Sequence, residues 1–209
     1  MQSKTVADEN LNLPSDPVEG FLLWLADAEK AGLPEPTAMT LATATREGRP
    51  SARVVLFKGM GLSSDGVMGL RFFTNYKSPK SKDLELNPFA ALTFFWPGLH
   101  RQLRIEGSIE KISNAESDIY FQSRPRGSRI GAWASPQSQK IKSRAELLKL
   151  VADAEIKFTD HEITCPDYWG GWLLKPERVE FWQAGEFRLH DRFEYVRSGQ
   201  SWQCGRLAP

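Results

Sequence analysis

Short runs of alternating hydrophobic and polar residues, separated by turns rich in glycine or proline, make up most of this chain. The runs at 38–45 and 51–58 flank one such turn, and those at 89–96 and 102–111 flank another. Successive side chains of a strand point to opposite faces, so each run predicts a half-buried strand and each pair predicts an antiparallel hairpin. Further strands are predicted at 70–74, 172–175, 179–182, 193–197 and 202–206, with a turn at 198–200 between the last two.

Helices are predicted where a capping residue precedes a stripe of apolar side chains. Asp16 caps an amphipathic helix that ends at Gly32. A short helix is predicted after Ser78, and Ser113 and Ser143 each begin a capping box ahead of a later helix. Many short strands with a few helices are typical of an antiparallel barrel that carries its helices on the outside.

The length and charge of the chain limit its organisation. At 209 residues it is long enough for one well-buried domain. We predict a mobile N-terminal arm at 1–12 and a single domain at 13–209. Its 27 Lys and Arg residues almost balance its 26 Asp and Glu residues, which argues against a nucleic-acid or membrane-surface partner.

Cysteine usage and hydropathy narrow the class of protein further. Cys165 and Cys204 lie far apart and have no metal-like spacing, so no zinc site is predicted. The sequence shows no apolar run of transmembrane length and no charged leader before an apolar run. We therefore expect a cytoplasmic protein whose thiols are reduced.

One stretch, residues 180–192, places cationic side chains at a two-residue period. In extended backbone Arg188, His190 and Arg192 leave the same face, while Leu189 points the opposite way, toward a core. Such a face attracts anions. The alternative is an edge strand with a solvated charged face, and the stretch by itself leaves both open.

Other cations form further candidate anion sites. Arg53 and Lys58 leave opposite faces of one predicted strand and can serve two different anions, although a strand with charged ends has the same pattern. Lys80 lies in the first turn of a short predicted helix, where free N–H groups and the helix dipole favour phosphate. Tyr120 and Arg124 are four residues apart in a predicted helix, which places a hydroxyl beside a guanidinium on one face.

These residues belong to longer motifs that occur in one order along the chain. The motifs are Arg53-Val54-Val55-Leu56-Phe57-Lys58, Phe73-Thr74-Asn75, Arg101-Gln102, the run Tyr120 to Arg126, Ile130-Gly131-Ala132-Trp133, Gln137-Ser138, Trp169-Gly170-Gly171, the stretch 180–192 and the terminal Arg206-Leu207-Ala208-Pro209. From about Leu13 to the last residue, the chain resembles the pyridoxamine 5′-phosphate oxidase family.

The resemblance implies a fold, a cofactor and a reaction. The fold is the FMN-binding split β-barrel, a mainly β, antiparallel Greek-key-like barrel with flanking helices, as a homodimer that holds FMN at the subunit interface. The reaction converts pyridoxine 5′-phosphate or pyridoxamine 5′-phosphate to pyridoxal 5′-phosphate, with hydride passing from C4′ to flavin and molecular oxygen reduced to hydrogen peroxide. The residues agree that a cofactor is needed, because no amino-acid side chain accepts hydride and the chain has no dinucleotide-type glycine fingerprint.

Two sets of residues match the family's site positions. The FMN positions are Arg53, Val54, Val55, Leu56, Phe57, Lys58, Phe73, Thr74, Lys80, Gln102, Gln137, Ser138, Trp182 and Arg192. The substrate positions are Lys58, Tyr120, Arg124, Ser128, Arg188, Leu189 and His190, of which Arg188 and His190 are the candidate catalytic residues.

Physical chemistry suggests a role for most of the substrate set. The planar fork of Arg124 suits a phosphate, and Tyr120 and Ser128 add neutral donors. We expect Arg188 to lie against the pyridine ring, and His190 to hydrogen-bond the ring hydroxyl or assist proton removal. Alone, Tyr120 and His190 would more often be structural residues, but their co-occurrence favours the functional interpretation.

One departure from the family and two rival functions remain. Pro79 stands where the family usually has arginine, so one phosphate-binding cation is missing at the helix start. The rivals are an FMN oxidase of the same fold that acts on another substrate, as in phenazine biosynthesis, and a non-enzymatic flavin- or heme-binding protein. Lys58 and Arg124 favour a phosphorylated substrate, because an uncharged one would leave these cations unpaired.

Overall fold

The structure is a computed structural model that describes residue 11 and residues 13–209. The arm predicted at 1–12 therefore lies outside the described residues, apart from Leu11. The helices are α1 (Pro17–Lys30), α2 (Pro79–Leu86), α3 (Asn114–Ser123), α4 (Arg126–Ala134) and α5 (Arg144–Lys157). The strands are β1 (Ala38–Ala44), β2 (Pro50–Leu56), β3 (Met60–Leu62), β4 (Met68–Asn75), β5 (Phe89–Trp96), β6 (Arg101–Lys111), β7 (Trp169–Gln183), β8 (Asp191–Ser198) and β9 (Ser201–Leu207).

The strands join one antiparallel sheet. Its path runs β2-β1-β5-β6-β7-β4-β3, and β8 extends from β7 and β9 from β8. The hairpins predicted for β1–β2 and β5–β6 are present, and so is the turn between β8 and β9. The prediction of a mainly β protein with flanking helices is confirmed, whereas β3 and α4 were not predicted.

The predicted helix caps explain where the helices begin. The Asp16 carboxylate accepts from Val18 N at 2.9 Å, and Ser113 forms the predicted capping box with Glu116. Ser143 also accepts from the backbone at the start of α5. Ser78 occupies the N-cap of α2, but its side chain makes no capping hydrogen bond. That hydroxyl serves the site described below.

Strand β7 is one element, so the prediction of two strands at 172–175 and 179–182 was wrong. Its first half pairs with β4 and its second half with β8, while β6 pairs along both halves. The register of β6 shifts between Glu106 and Gly107, opposite the segment that contains Pro176. A Cβ on Gly107 would overlap the Lys175 carbonyl, so glycine lets the strand continue past the proline.

The two ends of the sheet path approach each other near the predicted site. Among the described residues the strand ladder is open between β2 and β3. Just after β2, Lys58 N donates to Arg71 O at 2.8 Å, and Arg71 N donates to Gly59 O at 3.0 Å. These bonds place the end of β2 beside β4, which brings two of the predicted site segments together.

Two apolar clusters hold the helices on the sheet. Helix α1 packs through Phe21 and Trp24, whose ring centroids lie 5.0 Å from Phe94 and 4.9 Å from Phe181. A second cluster around Trp169 joins α3, α4 and α5 to the start of β7. Burying an aromatic side chain of this size stabilises the fold by roughly 1.5–3 kcal/mol. In the part of the chain that the structure describes, every helix is too short or too polar to span a bilayer.

Candidate functional site

A cavity of about 850 Å³ opens between β2, β4, the start of α2 and the α3–α4 junction. It collects cationic, hydroxyl and aromatic side chains from segments that are far apart in sequence. Ten of the predicted FMN residues and four of the predicted substrate residues line it, with Lys58 in both sets: Arg53, Val54, Val55, Leu56, Lys58, Phe73, Thr74, Lys80, Gln137 and Ser138, and Lys58, Tyr120, Arg124 and Ser128.

Lys80, the second residue of α2, is held by neutral groups. Its Nζ donates to Thr74 Oγ1 at 3.1 Å, to Ser78 Oγ at 3.2 Å and to Gln137 Oε1 at 3.0 Å. Burial lowers the pKa of Lys80, and the positive charge of Arg53 lowers this pKa further. A half-buried ammonium with neutral partners and a cationic neighbour is suited to binding an anion.

Arg53 leaves β2 on the same side of the cavity. Its Nη1 donates to Thr43 Oγ1 at 2.8 Å and to Leu41 O at 3.3 Å, and its Nη2 donates to Ser51 Oγ at 2.6 Å. Burial lowers the pKa of Arg53, while the Asp83 carboxylate partly raises it. These three oxygen acceptors therefore hold the Arg53 guanidinium in a fixed orientation.

Arg124 reaches the cavity by a different route from the predicted one. Helix α3 ends at Ser123, and Arg124 has extended backbone with φ −77° and ψ 148°. The prediction that Tyr120 and Arg124 share a helix face was therefore wrong. The physical reason is Pro125, because the residue before a proline is driven from helical toward extended backbone.

The guanidinium of Arg124 lies over the indole of Trp169, with 4.7 Å between its Cζ and the ring centroid. Tyr120, Phe73 and Trp169 form a parallel stack in which the first two centroids are 3.9 Å apart. Burial lowers the pKa of Arg124, although Tyr120 and Cys165 oppose this shift. Its Nη1 atom is buried and has no hydrogen-bond partner among the described residues. Leaving a buried donor without a partner costs free energy, so the Nη1 atom of Arg124 is suited to hydrogen-bonding an anionic ligand.

Sequence reasoning missed several contributors to the cavity. Trp169 was noted as part of a motif but was given no role, and Ser51 and Pro125 also line the cavity. The signal for Trp169 was the glycine pair that follows it. A Cβ on Gly170 would overlap the Tyr76 hydroxyl, so the backbone approach behind this tryptophan requires glycine.

The other predicted site residues lie outside this cavity. Gln102 faces Trp182 across the β6–β7 ladder, and the rings of Trp182 and His190 are 4.6 Å apart. Arg192 is the cross-strand partner of Trp182. The Phe57 side chain is buried in the core. The structure therefore divides the predicted site into a cavity group and a second group around Trp182.

The backbone of the second group differs from the extended strand predicted for 188–192. A 3₁₀ turn spans Glu186–Arg188, with Phe187 and Arg188 at φ 53° and 64°. Strand β8 begins only at Asp191, so Arg188 does not share the two-residue period of Arg192. Leu189 is 69 % exposed, and its predicted position in a core was wrong.

Arg192 already has strong partners within the chain. Its Nε donates to Glu180 Oε1 at 2.8 Å, and its Nη1 donates to Ala208 O at 2.8 Å. Arg104 also pairs with Glu180, which is buried, at 3.2 Å. The hydrogen bond that Arg192 donates to Glu180 is the largest cause that raises the pKa of Arg192. Arg192 therefore differs from Lys80 and Arg124, which have no carboxylate among their hydrogen-bond partners in the described chain.

Comparison with known proteins gives family matches over most of the chain. The family described as "Pyridoxamine 5'-phosphate oxidase" matches residues 25–157. The region described as "Pyridoxine 5'-phosphate oxidase C-terminal dimerisation region" matches residues 169–209. A pyridoxine/pyridoxamine 5′-phosphate oxidase of Pseudomonas paraeruginosa is 52 % identical over 200 residues, covering 95 % of this chain and 91 % of that protein. One of Ectopseudomonas mendocina is 53 % identical over 198 residues, covering 94 % and 90 %.

Two solved structures resemble the fold. PhzG from Burkholderia lata 383, in complex with tetrahydrophenazine-1-carboxylic acid, has a TM-score of 0.87 at 31 % identity and covers 97 % of this chain and 95 % of its own. A pyridoxamine 5′-phosphate oxidase-related, FMN-binding protein from Nostoc punctiforme has a TM-score of 0.72 at 21 % identity and covers 94 % and 100 %. The second likeness concerns the fold alone.

Proposed function

Because this chain belongs to the pyridoxamine 5′-phosphate oxidase family, we propose that it oxidises C4′ of pyridoxine 5′-phosphate or pyridoxamine 5′-phosphate to the aldehyde of pyridoxal 5′-phosphate, with FMN as cofactor and molecular oxygen as the final acceptor. The relatives named for this activity cover nearly the whole chain. The observation that carries the assignment to this cavity is the buried Arg124 Nη1, which has no hydrogen-bond partner in the described chain.

The residues of the cavity fit an FMN phosphate. The charge of Arg53 lowers the pKa of Lys80, so the two cations lie near each other and an anion bound beside both would stabilise their charged forms. The N terminus of α2 favours an anion on the same side, and Thr74, which donates to Gln137 Oε1 at 3.1 Å and accepts from Lys80, helps to hold the ammonium in place. We assign this corner of the cavity to the cofactor phosphate.

A second anion position lies at the α3–α4 junction. Arg124 offers a planar fork, and Tyr120, Ser128 and Lys58 line the same cavity. We assign this position to the substrate phosphate. Two separate phosphate positions agree with a nearly neutral chain whose cations cluster locally.

FMN, when bound, supplies the hydride acceptor that no side chain provides and passes the electrons to oxygen. The chain's own residues bind and orient the reactants. The Arg124 fork fixes the substrate by its phosphate, so that the pyridine ring is held in one orientation. We assign Arg188 to the face of that ring, and His190 to a hydrogen bond with the ring hydroxyl or to accepting the proton that the C4′ hydroxyl or amine releases.

A homodimer brings the second group to the cavity. Gln102, Trp182, Arg188, His190 and Arg192 lie away from the cavity of their own chain, and most of them fall in the region matched as a dimerisation region. Exposed apolar side chains lie beside both groups: Val54 is 66 % exposed at the cavity, and Phe95 is 59 % exposed opposite Gln102. A partner subunit would cover them. We propose that each subunit's second group completes the cavity of its partner.

The phenazine-type rival predicts a different preference. Cavity cations without carboxylate partners favour a phosphorylated substrate, because a substrate without phosphate leaves the buried Nη1 of Arg124 without a partner in the described chain. Anaerobic addition of pyridoxine 5′-phosphate to the purified FMN-loaded protein should bleach the flavin absorbance, and unphosphorylated pyridoxine should do so far more slowly. An unchanged flavin spectrum would favour the non-enzymatic carrier, and equal rates with both substrates would remove the phosphate assignment.

A further inference from the structure

Arg53 is backed by a hydrogen-bonded chain that reaches from the cavity into the protein. Its Nη1 donates to Thr43 Oγ1 at 2.8 Å, and Thr43 Oγ1 donates to Asp83 Oδ2 at 2.8 Å. Thr43 is only 3 % exposed on β1. Asp83 belongs to α2, the helix that also carries Lys80. These hydrogen bonds therefore connect Arg53 to the helix that carries Lys80, the other cation of the proposed cofactor corner.

The direction of these hydrogen bonds follows from the chemistry of the three groups. An ionised carboxylate only accepts and a guanidinium only donates, so the single hydroxyl proton of Thr43 points to Asp83. Its lone pairs are then left for Arg53. A hydroxyl that accepts from a guanidinium while donating to a carboxylate is polarised by both neighbours.

We propose that Thr43 and Asp83 are positioning residues that hold the Arg53 guanidinium ready for the phosphate of FMN. The inference rests on the proposed function, because it assumes that this corner binds the cofactor phosphate. Without Thr43 as acceptor, Nη1 keeps only the longer bond to Leu41 O at 3.3 Å. The guanidinium would then lose part of its fixed orientation before the ligand arrives.

Because Asp83 is negatively charged, the positioning role and a purely electrostatic role predict opposite changes in FMN affinity when it is replaced. A carboxylate near an anion site repels the anion, so a purely electrostatic role predicts that Asp83→Ala, which removes both the charge and the acceptor for Thr43, tightens phosphate binding. The positioning role predicts the opposite. Glu85 provides the matched control, since it is a carboxylate on the same helix whose exposed pair with Lys111 lies outside this hydrogen-bonded chain.

The test compares FMN with riboflavin, which lacks the phosphate. Dissociation constants for both flavins are measured by fluorescence quenching on flavin-stripped wild type, Thr43→Val, Thr43→Ser, Asp83→Ala and Glu85→Ala. Thr43→Val should weaken FMN about tenfold, as expected for one hydrogen bond to a charged group. Riboflavin affinity should stay unchanged, and Thr43→Ser should restore FMN affinity. Asp83→Ala should also weaken FMN, whereas Glu85→Ala should not.

Each contrary result has a separate meaning. Equal weakening of both flavins by Thr43→Val, or tighter FMN binding by Asp83→Ala, would overturn the positioning role. Should Thr43→Val not fold, the sign for Asp83→Ala still decides. A wild-type protein that binds riboflavin as tightly as FMN would instead refute the proposed cofactor corner, and the inference with it.

Discussion

Replacing Arg124 by methionine tests the proposed substrate phosphate position most directly. Methionine fills a similar volume without the charge, so the cavity keeps its shape. The structure places the guanidinium over the Trp169 ring at 4.7 Å, with Nη1 buried and without a partner in the described chain. The replacement therefore removes a ligand-binding group that contributes little to the fold without ligand.

The expected magnitudes follow from these contacts. A bidentate arginine–phosphate contact contains two hydrogen bonds to a charged group, so its loss costs at least about 3 kcal/mol of transition-state binding. This corresponds to a decrease in kcat/KM of about 150-fold. The ligand-free protein loses a cation–π contact worth roughly 0.5–1 kcal/mol. It also loses a buried unpaired donor, which relieves roughly 1–3 kcal/mol. The free energy of unfolding should therefore stay equal or rise.

The assay combines kinetics, cofactor binding and stability. Stopped-flow flavin reduction with pyridoxine 5′-phosphate gives the rate, fluorescence quenching gives the FMN dissociation constant, and urea unfolding of the flavin-free protein gives stability. Arg124→Lys is the matched control, since it keeps the charge but loses the fork and should be intermediate in rate. An unchanged kcat/KM, a loss of FMN binding, or destabilisation by more than about 2 kcal/mol would refute the reasoning.

Three further predictions concern the cofactor corner and the second group. Pro79→Arg, which restores the family's usual cation, should tighten FMN by about 1 kcal/mol in a fluorescence titration; unchanged affinity would mean that Arg53 and Lys80 already suffice. Arg188→Ala should lower kcat/KM and leave the FMN dissociation constant intact, whereas Arg192→Ala should raise that constant first and recover partly at saturating FMN; loss of flavin from Arg188→Ala would reverse these roles. Burial and the charge of Arg53 lower the pKa of Lys80 in the folded apoprotein. Between this lowered pKa and the usual value of 10.5, the folded protein therefore binds fewer protons than the unfolded chain. The contribution of Lys80 to the free energy of unfolding thus rises with pH across that window. FMN phosphate favours charged Lys80, so FMN affinity should fall as pH rises above the lowered pKa that Lys80 has in the apoprotein, and Lys80→Met should remove that dependence.

The amino-acid sequence by itself determined the local elements and the chemistry available to them. Asp16 and Ser113 predicted helix starts because a side-chain acceptor three residues or fewer before free N–H groups is a local feature. Alternating apolar residues predicted the two first hairpins, since which side chains share a face depends only on the two-residue period. The cavity cations were also found in sequence, by their motifs and by their places in strands and turns.

Only the tertiary structure decided which of these residues meet. Pro125 ends α3 before Arg124 by a local effect that the sequence already contains, whereas the bulge opposite Gly107 of β6, where two predicted strands continue as β7, depends on pairing between strands. The 3₁₀ turn at Glu186–Arg188 interrupts the two-residue period that was predicted to continue from Arg188 to Arg192. Thr43 and Asp83 belong to no sequence motif. Their role depends on the packing of β1 against α2, which brings together two residues that are 40 positions apart in sequence. Periodicity specifies the face from which a side chain leaves, but the group opposite that face is set by long-range packing.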